Sequence, residues 1–169
     1  YDIEERYRTV FIVMEYLEGT TLEQVLGTLV RLPAKTVVKY LRQICQGLGY
    51  AHRQNIVHQD IKPGNIFILP NDDVKIVDFG LSCTCGSEMM MAGTPFYMSP
   101  EQIECIPVDT RTDIYALGIM AFEMMTGSRP YPENDAWKVM DMHVTQDIPD
   151  PAETIAEIPE HLRTMILKS

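Results

Sequence analysis

The chain has 169 residues, of which 46% are hydrophobic and 22% charged, and this composition is typical of one globular domain rather than a disordered or fibrous protein. Its formal net charge of -10 disfavours binding to nucleic acid or to an anionic membrane surface, because both are polyanions. No apolar run approaches the roughly 20 residues of a membrane span, and Tyr1 opens no signal-peptide pattern, so we expect a cytoplasmic location and no membrane segment.

The four cysteines favour reduced thiols over a redox or metal site, which remains the alternative. Cys83 and Cys85 form C-x-C, which differs from the C-x-x-C of zinc and thioredoxin-like sites. Cys45 lies on the apolar stripe of a predicted helix, and we therefore expect it in the core.

In chain order, the first half predicts a strand followed by two helices. Residues 9–14 are a β-branched and aromatic run typical of a buried strand. Residues 21–24 fit a capping box, so a short helix is expected to about Leu29, and Pro33 suits the first turn of the next helix. The apolar residues of this second helix recur at three and four over about five turns; they are Val37, Val38, Leu41, Ile44, Cys45, Leu48 and Ala51.

The remainder predicts a hairpin, a loop and three helices. Residues 66–69 and 74–77 flank a four-residue loop and predict the hairpin, while residues 82–93 show no period. A helix over 113–125 is almost wholly apolar and so is expected to be buried on all sides, with Gly127 at its C-terminal cap. Further helices are expected at 135–144 and from about Pro159. The predicted fold class is α+β, mainly α-helical, with a small β-hairpin.

Charged residues cluster between the second helix and the hairpin. Asp60, Lys62 and Asn65 share this predicted loop. Phosphoryl transfer requires such a set: a carboxylate for the hydroxyl proton, an ammonium for the transferred phosphate and an amide oxygen for Mg²⁺. The alternative for this segment is a solvated turn around Pro63 and Gly64.

Two further motifs follow the hairpin. Asp78-Phe79-Gly80 comes directly after a strand, so its carboxylate is presented at the strand end, where Mg²⁺ could be held. Residues 93–101, GTPFYMSPE, read as a turn-rich loop that enters a short helix.

Together, in this order and spacing, these segments resemble the eukaryotic-like protein kinase family. The family's H-R-D-x-K-x-x-N loop appears as HQDIKPGN, D-F-G is intact, A-P-E appears as S-P-E, and the helix DIYALGIMAFEMMTG resembles the central helix of the C-terminal lobe. Lys62 and the G-T-x-x-Y segment resemble the Ser/Thr branch, and DIKPGNI and TPFYMSPEQ resemble bacterial members.

The resemblance implies a lobe boundary near the start of the chain. Residues 1–14 would be a remnant of the N-lobe strands, 15–21 the hinge and 22–169 a C-lobe truncated at its end, with the N-lobe largely absent. The Gly-rich loop and the ATP-positioning lysine would lie upstream, and the arginine partner of Glu101 would lie downstream, leaving that carboxylate unpaired. We therefore expect residues 1–14 to be disordered, refolded or paired with another copy. The bare surface that faces the missing N-lobe would favour self-association.

By position, the resemblance also assigns roles. Asp60 would be the catalytic base and Lys62 would contact the γ-phosphate, while Asn65 and Asp78 would hold Mg²⁺. His58 would pack rather than act in acid–base chemistry. The remaining assignments are Met14, Glu15, Leu17 and Phe67 around adenine, Thr94 in the substrate loop, and Phe79, Glu101 and Asp113 as structural residues.

The implied function is a protein serine/threonine kinase whose parent protein uses ATP and Mg²⁺ to phosphorylate protein substrates. The lobe alone would be inactive, and the alternative is a pseudokinase or scaffold lobe that only binds partners. Gln59 replaces the family's arginine and cannot form a charge-assisted pair with a phosphorylated loop residue, so we expect little switching by phosphorylation of that loop.

Overall fold

The computed structural model describes residues 15–79 and 95–169, together with the backbone pairing of residues 2–6 and 9–13. The elements in this part of the chain confirm the predicted class: the fold is mostly helical with a small antiparallel sheet. The strands are β1 (Asp2–Arg6), β2 (Thr9–Val13), β3 (Thr20–Thr21), β4 (Ile66–Ile68) and β5 (Val74–Ile76). The helices are α1 (Leu22–Thr28), α2 (Ala34–Arg53), α3 (Pro100–Ile103), α4 (Thr110–Thr126), α5 (Ala136–Thr145) and α6 (Glu160–Lys168).

The first two strands pair with each other inside one chain. β1 and β2 are antiparallel, with Asp2 opposite Val13 and Arg6 opposite Thr9. The predicted strand at 9–14 is therefore present as β2, and Met14 lies outside the described residues. Of the three expectations for residues 1–14, disorder is wrong for residues 2–6 and 9–13, because these form paired strands. Refolding and pairing with another copy stay predictions.

The second sheet has the antiparallel order β3-β4-β5 and contains the predicted hairpin. Ile68 lies opposite Val74, and the Leu69 N–H donates to the Asp73 carbonyl at 2.9 Å, which closes the loop. The hairpin thus returns the chain to the side of the molecule on which β4 began.

Helix α2 holds this hairpin loop through side chains. The Tyr40 hydroxyl donates to Asp72 Oδ1 at 2.8 Å. Gln43 accepts the Val74 N–H at 2.9 Å through Oε1 and donates to the Asp72 carbonyl at 3.3 Å through Nε2. Asp72 adopts a positive φ of 69°, which these contacts help to maintain. The ends of β4 and β5 are therefore fixed against the longest helix.

The core face of α2 differs from the sequence prediction at two positions. The prediction that Cys45 lies in the core is wrong, because Cys45 is exposed, and Val38 is 38% exposed. Each follows a buried residue by one position, which turns it about 100° around the helix and off the core face. The buried residues of the helix are Val37, Tyr40, Leu41, Ile44, Leu48 and Ala51.

Helix α4 is the centre of the core. Asp109 caps its N-terminus by accepting the Arg111 N–H at 2.8 Å, and Gly127 ends it in the left-handed region with a φ of 82°. Ile119, Met120 and Met124 are completely buried, and burial of a large apolar side chain contributes roughly 1.5–3 kcal/mol. The prediction of a helix buried on all sides is confirmed for residues 116–126 except the half-buried Glu123, and it is wrong at Ile114, which is 41% exposed.

The last two helices also match the predicted positions. Asp135 caps α5 by accepting the Trp137 N–H at 2.9 Å. Arg163 of α6 donates from Nε to Asp150 Oδ1 at 2.9 Å, and this guanidinium holds the pKa of the Asp150 carboxyl down at about 2. Among the described helices, none combines the length and the apolar character needed to cross a bilayer.

Candidate active site

Asp60, Lys62 and Asn65 meet in one cluster on the loop between α2 and β4. The Asn65 Nδ2 group donates to Asp60 Oδ2 at 2.9 Å and to the Asp60 carbonyl at 2.8 Å. Lys62 Nζ lies 2.7 Å from the same Asp60 Oδ2. The Asp60 side chain is only 14% exposed, so the ammonium and the amide contact its carboxylate in a partly dehydrated place.

A short 3₁₀ turn creates this convergence. Pro63 opens the turn, where its fixed φ is favourable, and the Asn65 N–H donates to the Lys62 carbonyl at 3.0 Å. The turn folds Asn65, which is 6% exposed, back over Asp60. The sequence prediction that these residue types share a loop is thus matched by direct contacts.

Asp78 lies beside the cluster at the end of β5. The backbone of Val77 is held on both sides, since its N–H donates to the Asn65 carbonyl at 3.0 Å and its carbonyl accepts from His58 Nε2 at 2.9 Å. Asp78 follows with a φ of 61° and is exposed. Because the backbone of Asp78 is left-handed, the extended conformation of β5 does not continue past it. Asp78 is the residue after Val77, whose N–H is hydrogen-bonded to Asn65.

His58 is completely buried, and the contacts of its ring define the tautomer. Because the Val77 carbonyl can only accept, Nε2 carries the hydrogen, and Nδ1 then accepts the Asp60 N–H at 3.2 Å. The ring centroid of Phe79 lies 4.5 Å from that of His58. Both ring nitrogens are therefore engaged with backbone groups, which fits the packing role predicted for His58.

Asp113 holds the start of the loop from the first turn of α4. Its carboxylate is completely buried and accepts the His58 N–H at 2.9 Å and the Gln59 N–H at 2.8 Å. The contact with the loop backbone agrees with the sequence prediction. His52 was missed by sequence reasoning; its Nε2 lies 2.7 Å from Asp113 Oδ2. A histidine in the last turn of α2, six residues before His58, was the only signal for it.

Gln59 adopts a left-handed backbone, with a φ of 68°. This conformation costs a non-glycine residue about 1 kcal/mol or more, so it persists where neighbours impose it. The Gln59 N–H is held by Asp113, and its carbonyl accepts from Gln102 Nε2 at 2.8 Å. Sequence reasoning missed Gln102, because a polar residue in a short helix carries no distinctive pattern.

Glu101 is half-buried and has a partner in the described structure. The Thr112 hydroxyl donates to Glu101 Oε1 at 2.6 Å. The expectation of an unpaired carboxylate at Glu101 is therefore wrong, and the partner is a hydroxyl on α4 rather than an arginine. This contact links α3 to α4 one residue before Asp113.

Residues 95–97 form a 3₁₀ turn that is tied to α4 and to the segment after it. The Tyr97 hydroxyl donates to Glu123 Oε2 at 2.6 Å, and the Arg129 guanidinium carbon lies 3.7 Å from the centroid of the Phe96 ring. Burial raises the pKa of the Glu123 carboxyl and also that of the Tyr97 phenol. The predicted substrate-loop residue Thr94 lies outside the described residues, directly before this anchored turn.

Of the predicted adenine residues, Phe67 lies on the central strand of the second sheet and Glu15 contacts its outer strand β5. Glu15 forms an ion pair with Lys75 Nζ at 2.7 Å, and Lys75 is the register partner of Phe67 in the β4–β5 ladder. Leu17 and Phe67 are both half-buried. Met14, Gly80 and the cysteines at 83 and 85 lie outside the described residues.

The sequence comparisons agree with this arrangement. Residues 1–168 match the sequence profile of the protein kinase domain family. The chain belongs to this family. It is 36% identical to a probable serine/threonine-protein kinase of Clostridium acetobutylicum, over 99% of this chain and 26% of that protein. It is 34% identical to serine/threonine-protein kinase PknL of Mycobacterium tuberculosis (98% and 43%) and 33% identical to serine/threonine-protein kinase PrkC of Bacillus subtilis (100% and 27%).

The kinase domain family uses ATP and Mg²⁺ in general, and the site can be tested for its fit to the metal. Mg²⁺ prefers oxygen ligands and takes one or two from the protein beside phosphate and water. Asn65 commits its Nδ2 to Asp60, which turns the amide oxygen away from that carboxylate, and Asp78 offers an exposed carboxylate at the strand end. Both oxygens are of the type that Mg²⁺ prefers. The chain spans less than half the length of these three curated relatives.

Proposed function

We propose that the protein containing this chain is an ATP-dependent protein serine/threonine kinase that transfers the γ-phosphate to serine or threonine hydroxyls of protein substrates. The observation that carries the proposal is the contact of Asp60 with both Lys62 and Asn65, beside the strand end that presents Asp78. Such a set combines a proton acceptor, a cation and two oxygen ligands, which phosphoryl transfer requires at one point.

Asp60 orients the substrate hydroxyl and accepts its proton. The Asn65 amide and the Lys62 ammonium both contact its carboxylate and hold the side chain in one orientation, and the Asp60 N–H donates to His58 Nδ1. Lys62 contacts the transferred phosphate while its ammonium remains beside Asp60. Asn65 and Asp78 would hold Mg²⁺, which when bound would neutralise charge on the phosphate oxygens.

The proposed lobe division follows the sequence prediction. Residues 1–14 would be strands of the N-terminal lobe, 15–21 the hinge and 22–169 the C-terminal lobe. Glu15, Leu17 and Phe67 would then form one wall of the adenine pocket, and Asp60 with its neighbours the floor of the phosphate site. Because ATP in such a cleft is gripped from two lobes, the 169-residue chain alone should bind ATP weakly and be inactive.

The test uses the full-length protein with ATP, Mg²⁺ and a generic protein substrate. Asp60→Asn should abolish phosphate transfer, because an amide cannot accept the hydroxyl proton, while ATP binding measured by calorimetry is retained. Asp141→Asn, the same substitution at an exposed residue of α5, should leave the rate unchanged. Absence of both transfer and nucleotide binding in the wild-type protein would favour the scaffold alternative and refute the kinase proposal.

Gln59 leads to a further expectation about regulation. Its neutral amide lacks the charge needed to hold a phosphorylated side chain. Single replacement of Ser82, Thr84 or Ser87 by alanine should therefore change the rate of phosphate transfer by no more than about threefold. Large losses are expected only where an arginine forms an ion pair with the phosphorylated residue. A large loss at any of these positions would contradict this reading of Gln59. Thr94 is excluded from the comparison because it would contact the substrate.

A further inference from the structure

Gln102 connects two segments that are 43 residues apart in the chain. Its Nε2 donates to the Gln59 carbonyl at 2.8 Å, and its Oε1 accepts the Ser99 N–H at 3.1 Å. The two partners determine the orientation of the amide, because a backbone N–H can only donate and a carbonyl can only accept. One side chain therefore joins the start of α3 to the loop that carries Asp60.

The Gln59 carbonyl and the Asp60 N–H belong to one planar, trans peptide group. The carbonyl is held by Gln102, and the N–H is held by His58 Nδ1 at 3.2 Å. The peptide group that precedes the Asp60 α-carbon is thus hydrogen-bonded at both its carbonyl and its N–H, which point in opposite directions. Any rotation of this plane would redirect the Asp60 side chain and break at least one of the two contacts.

The contact to Gln59 is separable from the capping of α3. Capping uses the amide oxygen of Gln102, whereas the contact to Gln59 uses its nitrogen. A glutamate at this position of a capping box is at least as favourable for the helix as glutamine. The hydrogen bond from Gln102 Nε2 to Gln59 is therefore not needed to stabilise α3.

We infer that Gln102 is a positioning residue for Asp60, acting through the peptide plane between Gln59 and Asp60. The inference rests on the proposed kinase function, in which Asp60 is the base. The Gln102–Gln59 hydrogen bond is a neutral connection between α3 and the loop that carries Asp60, and it requires no phosphate. It is made at Gln59, the position at which the resembled family has an arginine. The orientation of Asp60 is thereby coupled to the segment at 95–103, which follows the predicted substrate loop.

The test compares two glutamine-to-glutamate substitutions in the full-length protein. Gln102→Glu removes the donor to Gln59 and keeps an acceptor for the Ser99 N–H. Gln43→Glu is a matched control, because Gln43 also accepts a backbone N–H through Oε1 and donates to a backbone carbonyl through Nε2, with its partners at residues 74 and 72 of the hairpin. Both variants lose one neutral hydrogen bond and gain one negative charge.

Gln102→Glu should lower kcat about tenfold, the rate equivalent of one hydrogen bond, with little change in the KM for ATP. Amide hydrogen exchange of a peptide covering residues 57–62 should become faster, while exchange of 99–106 stays the same. Gln43→Glu should match the wild type in kcat and in both peptides. Gln102→Met, which lacks donor and acceptor alike, should show the same loss of kcat with a lower Tm.

Two outcomes would overturn the inference: an unchanged kcat for Gln102→Glu, or equal losses in Gln102→Glu and Gln43→Glu. An inactive wild-type protein would instead refute the proposed function. The exchange measurement would then decide alone whether Gln102 holds the loop, and unchanged exchange at 57–62 would reject that too.

Discussion

Replacement of the buried carboxylate at Asp113 should be among the most destabilising single changes in the described part of the chain. Asp113 Oδ1 accepts the Gln59 N–H, and Oδ2 accepts the His58 N–H and faces His52 Nε2. In Asp113→Asn, one oxygen becomes an NH₂ group that cannot accept. At least one buried N–H donor therefore loses its partner, and the remaining contacts lose their charge assistance.

The size of the effect follows from these contacts. A hydrogen bond to a charged group contributes roughly 1.5–3 kcal/mol, and an unsatisfied buried donor costs about 1–3 kcal/mol. Since one oxygen can keep two of the three contacts of Asp113, we expect Asp113→Asn to lower the free energy of unfolding by about 2–4 kcal/mol, with a larger loss for Asp113→Ala. This is a large share of the roughly 5–15 kcal/mol typical of a folded domain.

Urea unfolding followed by far-UV circular dichroism measures the loss. The exposed control Asp141→Asn should change the free energy of unfolding by less than about 0.5 kcal/mol. Adding His52→Ala to each background should reveal coupling between His52 and Asp113, because the two side chains are in contact. A loss below about 1 kcal/mol for Asp113→Asn would refute the reasoning, since it would mean that the loop backbone is not anchored through this carboxylate.

Three further predictions concern His143, Tyr97 and Gly127. Desolvation lowers the pKa of His143 to about 4 in the folded protein, against about 6.5 in the unfolded chain, so between these pH values the unfolded state binds more protons. The free energy of unfolding should therefore be highest above pH 6.5 and fall by about 3 kcal/mol as the pH drops to 4. Urea titrations of His143→Phe should show a weaker pH dependence. Tyr97→Phe removes the donor to Glu123 and should lower the free energy of unfolding by about 1–3 kcal/mol, an effect that would be absent if water replaced the phenol. Gly127→Ala should lower Tm by several degrees, because a Cβ would lie 2.0 Å from the Val30 carbonyl oxygen at a φ of 82°. An unchanged Tm would show that the backbone at Val30 or Gly127 shifts at little cost to avoid this contact.

Local patterns were sufficient to predict most elements. The capping box at Thr21, the three-and-four spacing of α2 and the apolar run ending at Gly127 each describe one element through neighbours in sequence, and the structure confirms all three. The error at Cys45 arose because helical spacing defines a stripe but not its width, which depends on how closely other elements approach.

The contacts that complete the candidate site were beyond such reasoning. His52 with Asp113 and Gln102 with Gln59 join residues 61 and 43 positions apart. Polar side chains of this kind show no periodicity, and their partners become known only when the path of the backbone is known. Asp60, Lys62 and Asn65 could be singled out because they share one short loop, whereas the residues that orient them come from separate helices.

The contact between Glu101 and Thr112 is one of three hydrogen bonds that join α3, α4 and the loop carrying Asp60. Glu101 is bonded to Thr112, Asp113 to Gln59, and Gln59 to Gln102, so three hydrogen bonds of 2.6, 2.8 and 2.8 Å form a closed circuit through two pairs of adjacent residues. Because the set is closed, displacing any one of the three segments would distort at least two of these hydrogen bonds at once. Thermal openings of the three segments should therefore be concerted, with amides on all three showing one common free energy of opening in hydrogen exchange.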